Sequence, residues 1–353
     1  MEKAYEISGG LNTGREELYN ELKIPREEGK LPVEGELSKT PDHLEIIEMS
    51  DALIQKEFQE LGLLQPMFLA PERVHYFSEN EFQKHYAKPT GKPNYEVGGY
   101  ADIHLGATYI SVENPNVQDF LVESRGGVRY AAGDIALEEF PHDDPEREKK
   151  IDIRADELES NWHAQVKKLA LLARTMHEAL HLASFEKYYK NSNDEYRGSR
   201  SGYYAYLDGK GSFASLNEAI TEKIAWELVD KKLEMVPEGP IEWKRDTKAR
   251  TESYDDDRYI LDIIVEKIAA QKQELGDVVW RRFKMGYLSG RVMHLRDIER
   301  TFGKGALRMY AELTPETVEK NKRVLVTYFE SDDPKERAEL EKEIREKTKS
   351  PAQ

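Results

Sequence analysis

The sequence contains no cysteine among its 353 residues. This absence excludes disulfides, iron–sulfur clusters, thiol nucleophiles and zinc sites with thiolate ligands. No run approaches the 18 or so apolar residues that a membrane-spanning helix needs, and the first residues lack the apolar core of a signal peptide. If the chain begins at its native start, we expect a cytoplasmic protein with no membrane partner.

Nucleotide-binding loops of the G-x-G-x-x-G and G-K-[ST] types are also missing. Positive charge is scarce, since 52 Lys and Arg stand against 68 Asp and Glu and give a formal net charge of -16. Such a surface repels phosphate backbones and anionic lipid, so we expect no nucleic acid partner. The length suffices for one large domain or two closely packed ones, and nothing in the sequence indicates the oligomeric state.

The periodicity of apolar residues changes along the first half of the chain. Residues 1–44 are rich in Gly, Pro, Glu and Lys without a sustained period, which predicts an extended or loosely ordered arm. Residues 45–155 are predicted to form an α+β part that opens with a helix over 44–64. Three short segments rich in β-branched and aromatic residues then indicate a small, mostly antiparallel sheet, at 73–77, 107–112 and 128–132.

Residues 156–330 are predicted to be mainly helical and to form the catalytic part. Spacings of three and four indicate one long amphipathic helix through Leu158, Trp162, Val166, Leu169, Leu172, Met176 and Leu180. A Gly-, Ser- and Tyr-rich loop near 190–212, whose tyrosines could form a hairpin, precedes a second helix over 213–233. Further helical patterns follow at 254–273, 277–301, 305–311 and 315–330. Residues 331–353 alternate acids and bases and are predicted to be a charged tail, either an exposed helix or partly disordered.

The long helix carries the pattern H-E-x-x-H, formed by His177, Glu178 and His181. This spacing places two imidazoles one turn apart on one helix face, where both can bind one ion. Neutral imidazole nitrogens suit Zn²⁺, and Glu178 is placed to take a proton from water. The alternative is a pair of surface histidines with an unrelated acid. Apolar neighbours indicate a buried helix instead, and buried histidines need partners.

A third ligand must come from another segment. The metzincin extension is excluded, because Ser184 and Lys187 stand where Gly and His are required. The second helix instead begins with Asn217-Glu218, 37 positions after His181, and has Glu222 one turn later. In these two helices, about a tenth of the chain, the sequence resembles the gluzincins, the thermolysin-like zinc peptidases, whose second helix reads N-E-x-x-x-(D/E).

The resemblance implies particular roles for the acids of the second helix. Glu218 would be the third metal ligand, and Glu222 would hydrogen-bond His177 from behind, which fixes its tautomer. The best-known members carry Asp where this chain has Glu222, and a solvated helix face is the alternative interpretation of that residue. The oxyanion donor is expected downstream, with Tyr254 ahead of Tyr287 and His294. Segment 107–112 is either the edge strand that pairs with a peptide substrate or a central strand.

The resemblance also implies a fold and an activity. The fold would be α+β and zincin-like, with a small, mostly antiparallel sheet, the long active-site helix and a mainly helical second half. One Zn²⁺ per chain would support cleavage of a peptide or protein substrate, with Glu178 as the base. The G-x-M-x-N segment of the aminopeptidase branch is missing, which favours an endopeptidase. Two alternatives remain: a catalytically idle zinc-bearing binding protein, and a zinc hydrolase of a non-peptide amide or ester.

Overall fold

A long helix and two small sheets together give the chain a mixed α and β architecture. None of the described helices is long and apolar enough to cross a membrane. The computed structural model describes residues 4–8, 11–12, 23, 25–63, 66, 69–90, 98–113, 132–140, 145–190, 196–207, 210–233 and 254–348.

The larger sheet is antiparallel, with strand order β2-β1-β6-β7-β8-β9. The smaller sheet is mixed, with order β3-β5-β4, because β3 and β5 run parallel whereas β4 and β5 run antiparallel. The strands are β1 (Ala4–Ser8), β2 (Leu11–Asn12), β3 (Val74–Phe77), β4 (Gly99–Asp102), β5 (Ala107–Ser111), β6 (Glu186–Lys190), β7 (Tyr196–Ser201), β8 (Tyr204–Leu207) and β9 (Lys210–Ser212).

The second half is mainly helical, as the periodicity predicts. The principal helices are α1 (Pro41–Glu60), α2 (Glu79–Thr90), α3 (Arg147–Ala183), α4 (Ala214–Leu233), α5 (Asp255–Lys272), α6 (Gly276–Ser289), α7 (Arg296–Phe302), α8 (Ala306–Ala311), α9 (Pro315–Glu330) and α10 (Pro334–Thr348). The H-E-x-x-H motif lies in the last turns of α3, and the segment that begins with Asn217-Glu218 lies in the first turns of α4.

Several predicted elements differ from the structure. The pattern at 277–301 is interrupted, because α6 ends at Gly290, whose left-handed φ of 77° favours glycine. Two strands, β1 and β2, form within the predicted arm. In the tail, by contrast, α10 is the exposed helix that was one of the two expected structures. The predicted strand at 128–132 lies outside the described residues except for its last position, which begins a helix over 132–139. The predicted hairpin is present as β7 and β8.

The motif-bearing end of α3 is packed on several sides. It lies against α1, α4 and the strands β4 and β5. Met176 and Leu180 are almost fully buried in a core that also contains Ile220 of α4. The Tyr76 hydroxyl of β3 lies 3.0 Å from Thr175 Oγ1, a hydrogen bond that ties the small sheet to the helix. This packing fixes the rotation of α3, so that its histidines face α4.

Candidate metal centre

Three side chains from α3 and α4 meet at one point. His177 Nε2 lies 3.1 Å from Glu218 Oε2 and 3.1 Å from His181 Nε2, and His181 Nε2 lies 3.3 Å from the same carboxylate oxygen. These three residues form a group able to hold a metal ion, and His177 is buried. The two histidines come together because they are one helical turn apart on one face. Glu218 joins them because the first turns of α4 pack against the end of α3.

The spacing of the three atoms fits a small cation. Tetrahedral coordination with bonds of about 2.0–2.1 Å places neighbouring ligand atoms about 3.3 Å apart. The separations of 3.1 to 3.3 Å are close to that value. Three acceptor atoms at this distance repel each other unless a positive charge lies among them. The arrangement therefore favours a metal ion or, without one, a proton.

Glu222 lies behind His177. Its Oε2 accepts a hydrogen bond from His177 Nδ1 at 2.7 Å, and its Oε1 accepts one from Trp226 Nε1 at 3.0 Å. Because Nδ1 donates to the carboxylate, Nε2 is left with a lone pair directed at the ligand group. The role that the gluzincin resemblance implies for Glu222 therefore matches its position, and the alternative of a solvated helix face does not, since Glu222 is buried.

His181 has partners of a different kind on its far side. Its Nδ1 lies 3.4 Å from the Tyr287 hydroxyl and 3.5 Å from the Asn217 amide nitrogen. The Tyr287 hydroxyl also lies 2.8 Å from Thr221 Oγ1. Tyr287 is fully buried behind the ligand, where it can orient the imidazole. Its hydroxyl lies near Nδ1 of His181, while Nε2 of the same ring faces Glu218, so its position supports an orienting role.

The charges of the group are strongly coupled. Burial opposes the protonation of His177, but the carboxylates of Glu218 and Glu222 outweigh it and raise the pKa of His177 well above its ordinary value. Burial likewise opposes the ionisation of Glu218, yet the two histidines hold the pKa of Glu218 well below its ordinary range. Without a metal, the group therefore favours a proton on His177, which a binding metal ion would displace.

Glu178 is the carboxylate next to this group and not one of its three members. Burial raises the pKa of Glu178, and electrostatic interaction with the two neighbouring histidines partly opposes the shift. Its Oε1 lies so close to the backbone of Gly99 that a Cβ there would stand 2.7 Å away. Glycine at this position of β4 therefore leaves the room that the carboxylate occupies. Sequence reasoning missed Gly99, for which the only local signal is the pair Gly98-Gly99.

Tyr254 is the downstream candidate that the structure brings to the ligands. Its ring stacks on the imidazole of His177 with 5.6 Å between centroids and 19° between planes. Burial, followed by the negative charge of Glu218 and Glu178, raises the pKa of Tyr254 well above its ordinary value. The residue immediately precedes α5 with a left-handed φ of 59°, a rare conformation for a bulky side chain. The phenol therefore stays protonated and able to donate.

His294 belongs to a different network. Its Nε2 lies 2.5 Å from the Tyr203 hydroxyl, and its ring packs edge-on against Phe283. Burial lowers the pKa of His294 to about 4. In the described part of the chain, neither of these contacts is with a ligand residue. A catalytic role for His294 thus receives no support from its position, because α6 ends at Gly290 and the chain places this ring against Tyr203 instead.

The N-E-x-x-x-(D/E) pattern contains Asn217 but predicts no particular role for it. Its Oδ1 accepts hydrogen bonds from the backbone N–H groups of Tyr203 and Tyr204, at 2.9 and 3.1 Å. This amide therefore fastens the turn of the β7–β8 hairpin to the first turn of α4, beside Glu218 of the candidate metal-binding group. The amide nitrogen of Asn217 faces Nδ1 of His181. The hairpin thus borders the site, as the sequence suggests.

The sheet order decides between the two alternatives for segment 107–112. β5 lies between β3 and β4 and is therefore the central strand of the small sheet. The strand that adjoins Glu178 is β4, which pairs only with β5 among the described strands. Comparison of the chain with protein-family models, with curated proteins and with solved structures found no match.

Proposed function

We propose that this protein is a zinc-dependent hydrolase of peptide bonds, a metallo-endopeptidase on a zincin-like scaffold. The observation that supports it most is the joint placement of Glu178 with His177, His181 and Glu218. A purely structural zinc site has four protein ligands and no use for a buried base. Three ligands beside a free carboxylate are what a hydrolytic site requires.

Zinc is the proposed metal because of the ligand chemistry. Two imidazole nitrogens and one carboxylate oxygen with near-tetrahedral separations suit Zn²⁺, whereas Mg²⁺ and Ca²⁺ favour six or more oxygen ligands. When bound in such a set, zinc acts as a Lewis acid on a carbonyl group and on water. His177, His181 and Glu218 would hold it, and Glu222 would keep His177 in the required tautomer.

Glu178 would carry the proton. Its carboxylate accepts a proton from the attacking water and later delivers it to the leaving amine. The raised pKa of Glu178 improves both steps, because a base works best when its pKa approaches the working pH. The neutral Tyr254 hydroxyl would donate a hydrogen bond to the carbonyl oxygen as negative charge develops on it.

The free edge of β4 supports a peptide as the substrate. Within the described residues this strand has a partner on one side only, and Gly99 brings its backbone against Glu178. An extended peptide can add to such an edge through main-chain hydrogen bonds, which would present successive peptide bonds to the base. An ester or a small amide has no comparable use for a strand edge.

The proposal is tested by metal analysis combined with digestion of an unbiased peptide library. We expect about one zinc per chain, which His177→Ala and His181→Ala remove, whereas the control His104→Ala, at an exposed histidine of the β4–β5 turn, retains it. Glu178→Gln should keep the metal and lose hydrolysis by several orders of magnitude. Full zinc in both ligand variants, or normal cleavage by Glu178→Gln, would refute the proposal.

A further inference from the structure

Arg174 lies on α3 one turn before Glu178. In a helix this spacing places two residues about 6 Å apart along the axis, on the same face. Its Nη1 donates hydrogen bonds to two main-chain carbonyls at the end of β5, Ser111 O at 2.9 Å and Glu113 O at 2.8 Å. The guanidinium also touches the chain at the start of β4, where a Cβ on Gly98 would stand 2.4 Å from Cζ.

The charge of Arg174 has no carboxylate partner within ion-pair distance in the described part of the chain. Its Nε and Nη2 donate to none of the described residues, and neither is among the buried unpartnered atoms, so both keep contact with solvent. Two other sheltered cations are paired, Arg26 with Glu186 and Lys284 with Glu57, whereas the buried Arg73 resembles Arg174 in bonding to main-chain carbonyls. Burial lowers the pKa of Arg174, and the negative charges of Glu79, Glu178 and Glu222, none of them within ion-pair distance, only partly oppose this shift.

The direction of β4 defines the side of the substrate that meets this cation. Gly98 adjoins Arg174 and the next residue, Gly99, adjoins Glu178. A peptide paired antiparallel with β4 runs in the opposite direction to the strand. With its scissile bond at Glu178, the residues that follow this bond therefore extend towards Gly98 and Arg174. One residue of extended chain covers about 3.3–3.6 Å, so the first or second residue after the bond reaches the guanidinium.

We propose that Arg174 is a specificity-determining residue that binds a substrate carboxylate on the C-terminal side of the scissile bond. This inference rests on the proposed peptidase function. Nε and Nη2 form one edge of the guanidinium and can grip both oxygens of a carboxylate. The carboxylate comes either from an Asp or Glu side chain, as in an endopeptidase substrate, or from the free C-terminus of the substrate, in which case the same site removes residues from peptide ends. The two sources share one recognition chemistry and differ in the peptides that reveal them.

The test uses matched peptides built around a bond that the wild-type protein cuts. One pair carries Glu or Gln at the first two positions after the bond, another has a free or an amidated C-terminus there, and a third carries Glu or Gln before the bond. We expect a preference of about 10- to 100-fold in kcat/KM for the carboxylate in the first or second pair, the size of a charge-assisted hydrogen bond. No such preference is expected in the third pair.

Arg174→Gln should abolish that preference, and Arg174→Lys should restore part of it. Arg73→Gln is the matched control, because Arg73 also donates to main-chain carbonyls, those of Arg26, Leu105 and Gly106. We expect the control to lower the Tm while the selectivity ratio stays unchanged. Equal selectivity in wild type and Arg174→Gln, or a preference for the carboxylate before the bond, would overturn the inference.

Binding separates failure of this inference from failure of the proposed function. The Glu178→Gln protein, alone and combined with Arg174→Gln, is titrated against fluorescent library peptides with free and amidated C-termini and with or without Glu. A carboxylate preference that disappears with Arg174→Gln supports the binding role even if no peptide is cleaved. Identical affinities for all peptides refute it, whether or not the wild-type protein hydrolyses them.

Discussion

Gly99→Ala tests whether catalysis depends on the space beside β4 that the Glu178 carboxylate occupies. A Cβ at this position would stand 2.7 Å from Glu178 Oε1 and 3.0 Å from its Cγ, closer than real Cβ contacts. The carboxylate is buried and cannot turn freely into solvent. It would have to retreat by about 1 Å to reach an ordinary contact distance, and a misplacement of that size costs about 10²-fold in rate.

The variant should leave the metal in place. Gly99 contacts Glu178, which is not one of the three ligands, so we expect unchanged zinc content together with about 100-fold lower kcat on a peptide that the wild-type protein cuts. Overpacking at this contact should lower the free energy of unfolding by about 1–3 kcal/mol, which urea titration measures. Gly133→Ala is the control, because a Cβ there meets no atom within 4 Å.

Turnover of peptides by Gly99→Ala at nearly the wild-type rate would show that Glu178 does not need its observed position. Loss of zinc in this variant would also count against the prediction, because the damage would reach beyond the base. A similar loss of kcat in Gly133→Ala would show that the effect is not specific to the contact between β4 and Glu178.

Glu222→Gln should weaken zinc binding about 10- to 100-fold in competition with a chelator, and Glu218→Gln should weaken it more; the reverse order would exchange their roles. Tyr254→Phe should lower turnover about 10²- to 10³-fold at constant zinc content, and normal turnover would exclude it as the oxyanion donor. Burial, with the charge of Glu218, raises the pKa of Asp257 from 3.8 to about 7 in the folded protein. Because the folded pKa exceeds the unfolded one, the free energy of unfolding falls as the pH rises between these two values. Asp257→Asn should therefore stabilise the protein at pH 8, by at most about 4 kcal/mol, and not near pH 3.5; equal gains in urea titrations at both pH values would contradict this.

The sequence alone determined the features that depend on local spacing. The long helix and most helices of the second half follow from apolar residues at spacings of three and four, because one helix face must be buried. The shared face of His177 and His181 follows from the same geometry. The assignment of Glu218 as the third ligand depends on a family resemblance, because no local pattern links a residue of α4 to α3 across 37 positions.

Only the tertiary structure decided which segments meet. Contacts distant in sequence determine the parallel pairing of β3 with β5, the strands within the predicted arm and the outer position of β4 among the described strands. The ring of Tyr254 stacks on His177, whereas His294 contacts the Tyr203 hydroxyl, although both are polar rings downstream of α4. Periodicity fixes which side of an element is buried, but the partner of that side depends on the packing of the whole core.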